Sequence, residues 1–218
     1  MALAIFDLDN TLIAGDSDHS WGQFLVAQGK VDSDYYRDMN DRFFADYESG
    51  RLDIFAYLQF SLEPLSQIPM AELSLLHQKF MAEVISPMML DKGRDLLEQH
   101  RRAGDQLLVI TSTNHFIVEP ICKALGIDQV IATKLEVVNG RYTGKVSGTP
   151  SYREGKVERL NSWLTVNQLD MNSSYFYSDS INDLPLLLEV DHPVAVDPDP
   201  QLRELAATRG WKIISLRD

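Results

Sequence analysis

Four short stretches of this chain set chemistry-bearing side chains at close spacing: Asp7-Leu-Asp-Asn-Thr11, Thr111-Ser-Thr-Asn114, Gly155-Lys156 and Asp179-Ser-Ile-Asn-Asp183. They supply the carboxylates of Asp7, Asp9, Asp179 and Asp183, several hydroxyls and one lysine. Carboxylates gathered in one place repel one another, and some protonate unless a cation neutralises them. A hard divalent ion suits such oxygen donors, and Mg2+ is typically held by one or two carboxylates plus water and substrate phosphate. The metal withdraws charge from a phosphoryl group, while Lys156 and the Thr111 hydroxyl can take the remaining phosphate oxygens. A carboxylate placed beside such a group can act as a nucleophile and form an aspartyl-phosphate.

The elements between these stretches decide whether they meet. Residues 3–7 form a short apolar run that reads as a buried strand ending in Asp7. From Asp16 to Val84 the apolar spacing is helical: Trp21, Phe24 and Leu25, then Tyr36, Met39, Phe43 and Tyr47, then Leu73, Leu76, Phe80 and Val84. Gly50, Pro64 and Pro69 are expected to break this helical region into pieces. After Ser86-Pro87 the texture alternates, with strands expected at 107–110, 129–133, 175–178, 194–196 and 212–216 and helices between them. Glu136 to Gly144 reads as a hairpin around Asn139-Gly140. Alternating strands and helices imply an α/β fold with a mainly parallel sheet covered on both faces. In such sheets ligands bind at the carboxyl ends of the strands, where three of the stretches fall, and Gly155-Lys156 opens a helix between the second and third of them.

Composition narrows the partners. The 218 residues carry a formal net charge of −12, which argues against nucleic acid and anionic lipid. A small phosphorylated molecule remains compatible, because a bound cation inverts the local sign. A single cysteine, Cys122, excludes an internal disulfide and a Cys-based zinc cluster. The apolar runs are far shorter than the roughly 20 residues that span a bilayer. The start of the chain does not resemble a signal peptide, so a cytoplasmic protein is expected. The oligomeric state is left open.

In order and in type, Asp7-Leu-Asp-Asn-Thr-Leu12, Ile110-Thr111, Lys156 and Asp179-Ser-Ile-Asn-Asp183 resemble the motifs of the haloacid dehalogenase superfamily. The helical stretch after the first motif, and Ser151-Tyr-Arg-Glu-Gly-Lys-Val-Glu-Arg-Leu160, resemble its phosphoserine-phosphatase-like branch, subfamily IB, with a C1 helical cap. The resemblance implies a Rossmann-like three-layer core, 1–15 and 87–218, with a cap at 16–86. It implies Asp7 as nucleophile and Asp9 as general acid–base. Mg2+ is implied on the Asp7 side chain, the Asp9 carbonyl and Asp179. Thr111 and Lys156, with Asn10, are implied at the phosphate, and Asp183 and Asn182 just behind. True dehalogenases of the superfamily lack an acid at the Asp9 position, so the activity implied is phosphate ester hydrolysis.

The cap bears on substrate. Asp16 stands where phosphoserine phosphatases carry a Glu facing the substrate amine. Their cap-helix Arg, which grips a carboxylate, aligns near Ser61, and helix 54–62 holds no base. An amine site without a carboxylate clamp points to an amine-bearing phosphate ester, with histidinol phosphate favoured. Asp16 and Asp18 would meet its ammonium, and the cap is rich in aromatics that could flank its imidazole: Trp21, Tyr35, Tyr36, Phe43, Phe44, Tyr47, Phe55, Tyr57 and Phe60. Phosphoserine phosphatase, a phosphotransferase or phosphomutase of the same superfamily, and a receiver-like signalling module are the competing readings. His19, His115 and Cys122 are expected to be structural.

Overall fold

The computed structural model describes residues 2–217. Its main sheet has six parallel strands in the order β3-β2-β1-β6-β7-β8. The strands are β1 (Leu3–Phe6), β2 (Gln106–Asn114), β3 (Val130–Thr133), β6 (Tyr175–Ser178), β7 (His192–Val196) and β8 (Lys212–Ile214). Side chains alternate between the faces of each strand. Ala4, Phe6, Val109, Tyr177 and Val194 therefore enter one apolar cluster, and Leu3, Ile5, Leu108, Ile110, Phe176 and Ala195 enter another. Helices α6 (Asp91–Ala103) and α7 (His115–Ala124) pack into the first cluster, and α8 (Glu154–Asn167), α9 (Leu184–Leu187) and α10 (Pro200–Arg209) into the second. Both faces of the sheet are thus buried, as a parallel sheet requires.

Between β1 and β2 the chain is helical throughout: α1 (Ser17–Ala27), α2 (Ser33–Glu48), α3 (Ile54–Gln67), α4 (Met70–Phe80), a π turn at Met81–Ile85 and the short α5 (Ser86–Met88). Aspartates cap the first three helices: Asp16, Asp32 and Asp53 each accept from backbone N–H groups of the first turn. The buried faces of α1, α3 and α4 show the expected periodicity through Trp21, Phe24, Leu25, Leu58, Leu62, Leu73 and Phe80. Helix α2 buries only Tyr36 and Asn40, because its inner face borders a pocket rather than the core.

Three expectations change. Pro64 does not break the chain but lies buried inside α3, where its apolar neighbours Leu62 and Leu65 outweigh one missing helix hydrogen bond. Strand β2 continues through Thr111 to Asn114, past the expected end at 110, with a register shift against β3. The expected helix 183–189 is a 3-10 turn, Ile181–Asp183, followed by the single turn of α9. The hairpin is β4 (Leu135–Val138) with β5 (Arg141–Val146), and Asn139 and Gly140 both take positive φ at its turn. Among the described residues no helix is long and apolar enough to cross a membrane.

Candidate active site

Strand β1 delivers Asp7 to the carboxyl edge of the sheet, and its backbone N–H is held by the Tyr177 carbonyl at 2.9 Å. Lys156, in the first turn of α8, points into the same place and is only 1 % exposed, so it is not a solvated helix lysine. Its ammonium lies 2.8 Å from Asp7 Oδ1 and 2.6 Å from Asp183 Oδ1. Ser178 Oγ donates to Asp183 Oδ2 at 2.7 Å, which orients that carboxylate. Asp179 follows β6 directly and accepts from Thr11 Oγ1 at 3.2 Å. Residues separated by well over a hundred positions thus converge because β1 and β6 are paired neighbours in the sheet.

Asp9 sits two residues beyond Asp7. Its Oδ1 accepts from Ser17 N, the first residue of α1, at 2.6 Å. A helix N-terminus has unsatisfied N–H groups and a partial positive charge, so it favours an anion there. Thr113 Oγ1 donates to Asp9 Oδ2 at 2.9 Å, and Thr111 Oγ1 lies farther off, at 3.4 Å. Asn10 turns away: it adopts positive φ, and its side-chain and backbone oxygens both accept from Arg217. Asn182 also faces away from the carboxylates, accepting from Tyr152 and Arg153 and donating to the Tyr47 carbonyl.

The electrostatics follow from burial. Burial pushes Asp7 up to about 7, against the lowering pull of Lys156 and with Asp183 and Asp9 adding to the rise. Asp9 is raised by burial, and its Ser17 and Thr113 hydrogen bonds offset part of this. Asp179 is held well above the usual carboxylate range by burial and by Asp7 and Asp183. Burial alone would lower Lys156, but Asp183 and Asp7 outweigh it and hold its proton firmly. One ammonium faces four acids here, so the cluster is short of positive charge.

That deficit is what a divalent cation would fill. Among the described residues, no three His, Cys, Asp or Glu side chains gather around one point as a metal cage. Mg2+ does not require one, since it usually keeps waters and takes one or two carboxylates. The side chains of Asp7 and Asp179, raised by burial and mutual repulsion, fit that demand.

A pocket opens over the cluster, between the strand ends and the helical insert. Asp7, Asp9 and Thr111 to Thr113 form its floor, and Asp16, Asp18, His19, Asn40, Phe43, Phe44, Tyr47, Leu52, Ile54, Tyr57 and Tyr152 its walls. No lysine or arginine lines it. Asp16 spends one oxygen on capping α1, at 2.8 Å from His19 N. Burial pushes Asp18 up to about 7, with a lowering hydrogen bond from Tyr57. The His19 ring stacks on Phe44 at 4.5 Å and meets Asn40 Nδ2 at 3.0 Å, and burial lowers its basicity.

Sequence reasoning missed several of these. Thr113 was hidden by the expectation that β2 ends at 110; the alignment puts Ser61 at the wall, where Tyr57, one of the cap aromatics expected beside the ring, stands instead. Ser61 is buried away from the pocket, and Tyr57, one helical turn earlier, faces it. The aromatic residues divide: Phe43, Phe44, Tyr47 and Tyr57 line the pocket, whereas Trp21, Tyr36 and Phe60 pack in the interior. Cys122 is buried and free, as expected.

The model of the haloacid dehalogenase-like hydrolase family matches residues 4–188. The chain belongs to this family. It stands with the hydrolases and phosphatases of that family, so the receiver-like reading falls. Superfamily members typically depend on Mg2+. A histidinol-phosphatase of Neisseria meningitidis is 49 % identical over 219 residues, covering 99 % of both chains. A phosphoserine phosphatase of Mycobacterium tuberculosis is 33 % identical over 99 % of this chain and 71 % of its own length. A solved structure of a protein of unknown function from Bordetella pertussis superimposes with a TM-score of 0.93 at 43 % identity, over 99 % of each chain. A substrate-bound phosphoserine phosphatase shares the fold, with a TM-score of 0.72 at 18 % identity over 99 % of this haloacid dehalogenase-like chain and 93 % of its own.

Proposed function

We propose that this phosphatase hydrolyses histidinol phosphate, with Asp7 as nucleophile and Asp9 as general acid–base. The observation that carries the substrate reading is the pocket's charge: Asp16 and Asp18 stand in its walls and, among the described residues, no lysine or arginine answers them. Such a pocket favours a cationic leaving group and leaves a substrate carboxylate unpaired and costly. Histidinol phosphate has an ammonium and an imidazole and lacks a carboxylate. Its ring would lie against Phe43, Phe44 and Tyr47, and its ammonium against Asp16 and Asp18. The Neisseria relative's name supports the same substrate. The Mycobacterium relative's name favours phosphoserine instead, and a pocket lining without lysine or arginine to pair a substrate carboxylate weighs against it.

The proposed chemistry has two displacements. Asp7 Oδ1 is engaged by Lys156, so Oδ2 is the oxygen that attacks phosphorus. The P–O bond to the leaving group breaks as the Asp7–phosphorus bond forms, and protonated Asp9 gives its proton to the departing alkoxide. Burial favours that protonated state of Asp9. Asp9 then removes a proton from water, whose oxygen attacks phosphorus and releases Asp7 and inorganic phosphate. Asp7, Asp179 and the Asp9 carbonyl would hold Mg2+, which supplies charge withdrawal from the phosphoryl group when bound. Lys156 takes phosphate oxygens while Asp183 fixes its ammonium. Thr111, weakly engaged with Asp9, is free to turn toward phosphate. Water as acceptor, rather than an alcohol, completes a hydrolase.

The division into a core, 1–15 and 87–218, and a cap, 16–86, is supported where the two connecting segments run side by side. Ile13 bridges Met89, and Ala14 N donates to the Met88 carbonyl at 2.7 Å. A cytoplasmic location is supported by the single free cysteine.

The test is a panel of phosphomonoesters with kcat/KM measured for each. Histidinol phosphate should exceed phosphoserine by about 100-fold or more, a ratio reachable when one substrate leaves polar groups unpaired. Equal or greater efficiency on phosphoserine or on a sugar phosphate defeats the substrate reading.

A further inference from the structure

Arg153 occupies a backbone conformation that L-residues seldom adopt, φ 50° and ψ −120°, at the N-terminus of α8. Glycine would sit there without penalty. A side chain kept in such a place is expected to have a task, and the guanidinium shows one. Nη2 donates to the Gly50 carbonyl, while Nε and Nη2 both donate to Asn182 Oδ1, at 3.2 and 3.1 Å. The guanidinium also lies over the Tyr152 ring, 5.1 Å from its centre, and Tyr152 OH donates to the same Asn182 oxygen at 3.2 Å. Asn182 Nδ2 reaches across to the Tyr47 carbonyl at 3.0 Å.

Tyr47 and Gly50 belong to the end of α2 and the turn that follows it. The last carbonyls of a helix lack intrahelical partners and carry its negative end. Helix α2 has no basic residue in its own last turn. The Tyr47 carbonyl already accepts from Gly50 N at 3.0 Å, and Arg153 and Asn182 add donors to this helix end from the other side of the pocket. Gly50 suits this approach: its φ is +69°, and an added Cβ would stand 3.5 Å from Arg153 Nη2 and 3.8 Å from Asn182 Oδ1.

We propose that Arg153, acting with Asn182, is a positioning residue that clamps the C-terminal end of α2 to the α/β core and so sets the pocket wall. Phe43, Phe44 and Tyr47 ride on α2 and form that wall. The clamp is built from the residue three before Lys156 and the residue one before Asp183. The wall is therefore tied to the same two segments that supply Lys156, which holds Asp7, and Asp183, which holds Lys156. Arg153 touches neither the phosphate site nor the carboxylates. Its effect reaches the reaction through where α2 sits, and so through contacts with the leaving group.

The experiment compares Arg153→Met and Arg153→Lys with the parent enzyme loaded with Mg2+. Amide hydrogen exchange over residues 33–48 is read first, then KM and kcat for histidinol phosphate and for p-nitrophenyl phosphate. Arg153→Met should speed exchange in 33–48 by about tenfold, with little change over β1 and β6. It should raise KM for histidinol phosphate by about tenfold, and leave kcat/KM for p-nitrophenyl phosphate within about twofold of the parent. Arg153→Lys should fall between, since an ammonium keeps the charge but lacks the rigid planar fork that spans both acceptors. Unchanged exchange in 33–48 overturns the clamp. Equal losses on both substrates, with faster exchange across the whole chain and no rescue by lysine, overturn it as well, and mark Arg153 as a stability residue only. The kinetic arm rests on the proposed substrate and the exchange arm does not. Parent enzyme inactive on histidinol phosphate would thus defeat the substrate reading while leaving the clamp to be decided by exchange.

Discussion

The Lys156 ammonium and the Asp7 carboxylate form a buried ion pair, 2.8 Å apart, with side-chain exposures of 1 % and 5 %. Removing one partner of a buried pair strands the other's charge at a cost of about 3–5 kcal/mol. Neutral isosteric replacement is therefore the cleaner probe. Asp7→Asn keeps the shape and loses the proposed nucleophile, so turnover should fall by about 10,000-fold or more while the protein stays folded. Single-turnover assays with thermal melting check both halves. Near-normal rates in a folded variant would move the nucleophile elsewhere.

Four acids around a single ammonium imply a cation, and that is directly measurable. Dialysis against a chelator should abolish hydrolysis, and Mg2+ should restore it while raising the melting temperature, since a ligand that binds only the folded state stabilises it. Activity indifferent to chelation would contradict the oxygen-donor site on Asp7 and Asp179.

Asp18 yields a pH prediction. Burial lifts it from 3.8 to about 7. Below that value it is neutral and attracts an ammonium poorly, so KM for histidinol phosphate should rise as pH falls through about 7. The same shift acts on stability with a definite sign. Between about pH 4 and 7 the folded chain binds more protons at this site than the unfolded chain, so stability declines as pH rises through that window. Asp18→Asn should therefore melt higher than the parent at about pH 8, with the gain gone near pH 4, and should flatten the KM profile. A variant whose melting difference is independent of pH would show Asp18 to be ordinary.

Gly155 precedes Lys156, and a Cβ on it would stand 2.1 Å from the Pro150 carbonyl oxygen. Neither atom belongs to a flexible side chain, so the backbone must shift and carry Lys156 with it. Gly155→Ala should cost about 3 kcal/mol in denaturant unfolding and lower kcat for every phosphomonoester alike. A drop confined to one substrate would argue against a shared phosphate-site effect.

The acids, the lysine and the alternation of strand and helix are local matters, and residue type and spacing alone announced them. Asp7, Asp9, Lys156, Asp179 and Asp183 could be picked out because each lies next to a strand end or helix start that periodicity reveals. So could the long helical insert, whose aspartate caps and apolar stripes are written within single turns. Only the folded chain could decide which hydroxyl holds Asp9, since Thr111 and Thr113 share a face of β2 and their reach depends on how β1 and β2 are registered. Nor could the pocket's walls be read beforehand. Tyr57 rather than Ser61 faces inward because helix α3 is rotated by its packing of Leu58, Leu62 and Leu65, a long-range constraint that no local pattern encodes. The clamp of Arg153 and Asn182 on α2 is of the same kind: its donors and acceptors lie about a hundred positions or more apart in the chain, and sequence proximity carries no information about contacts made by tertiary packing.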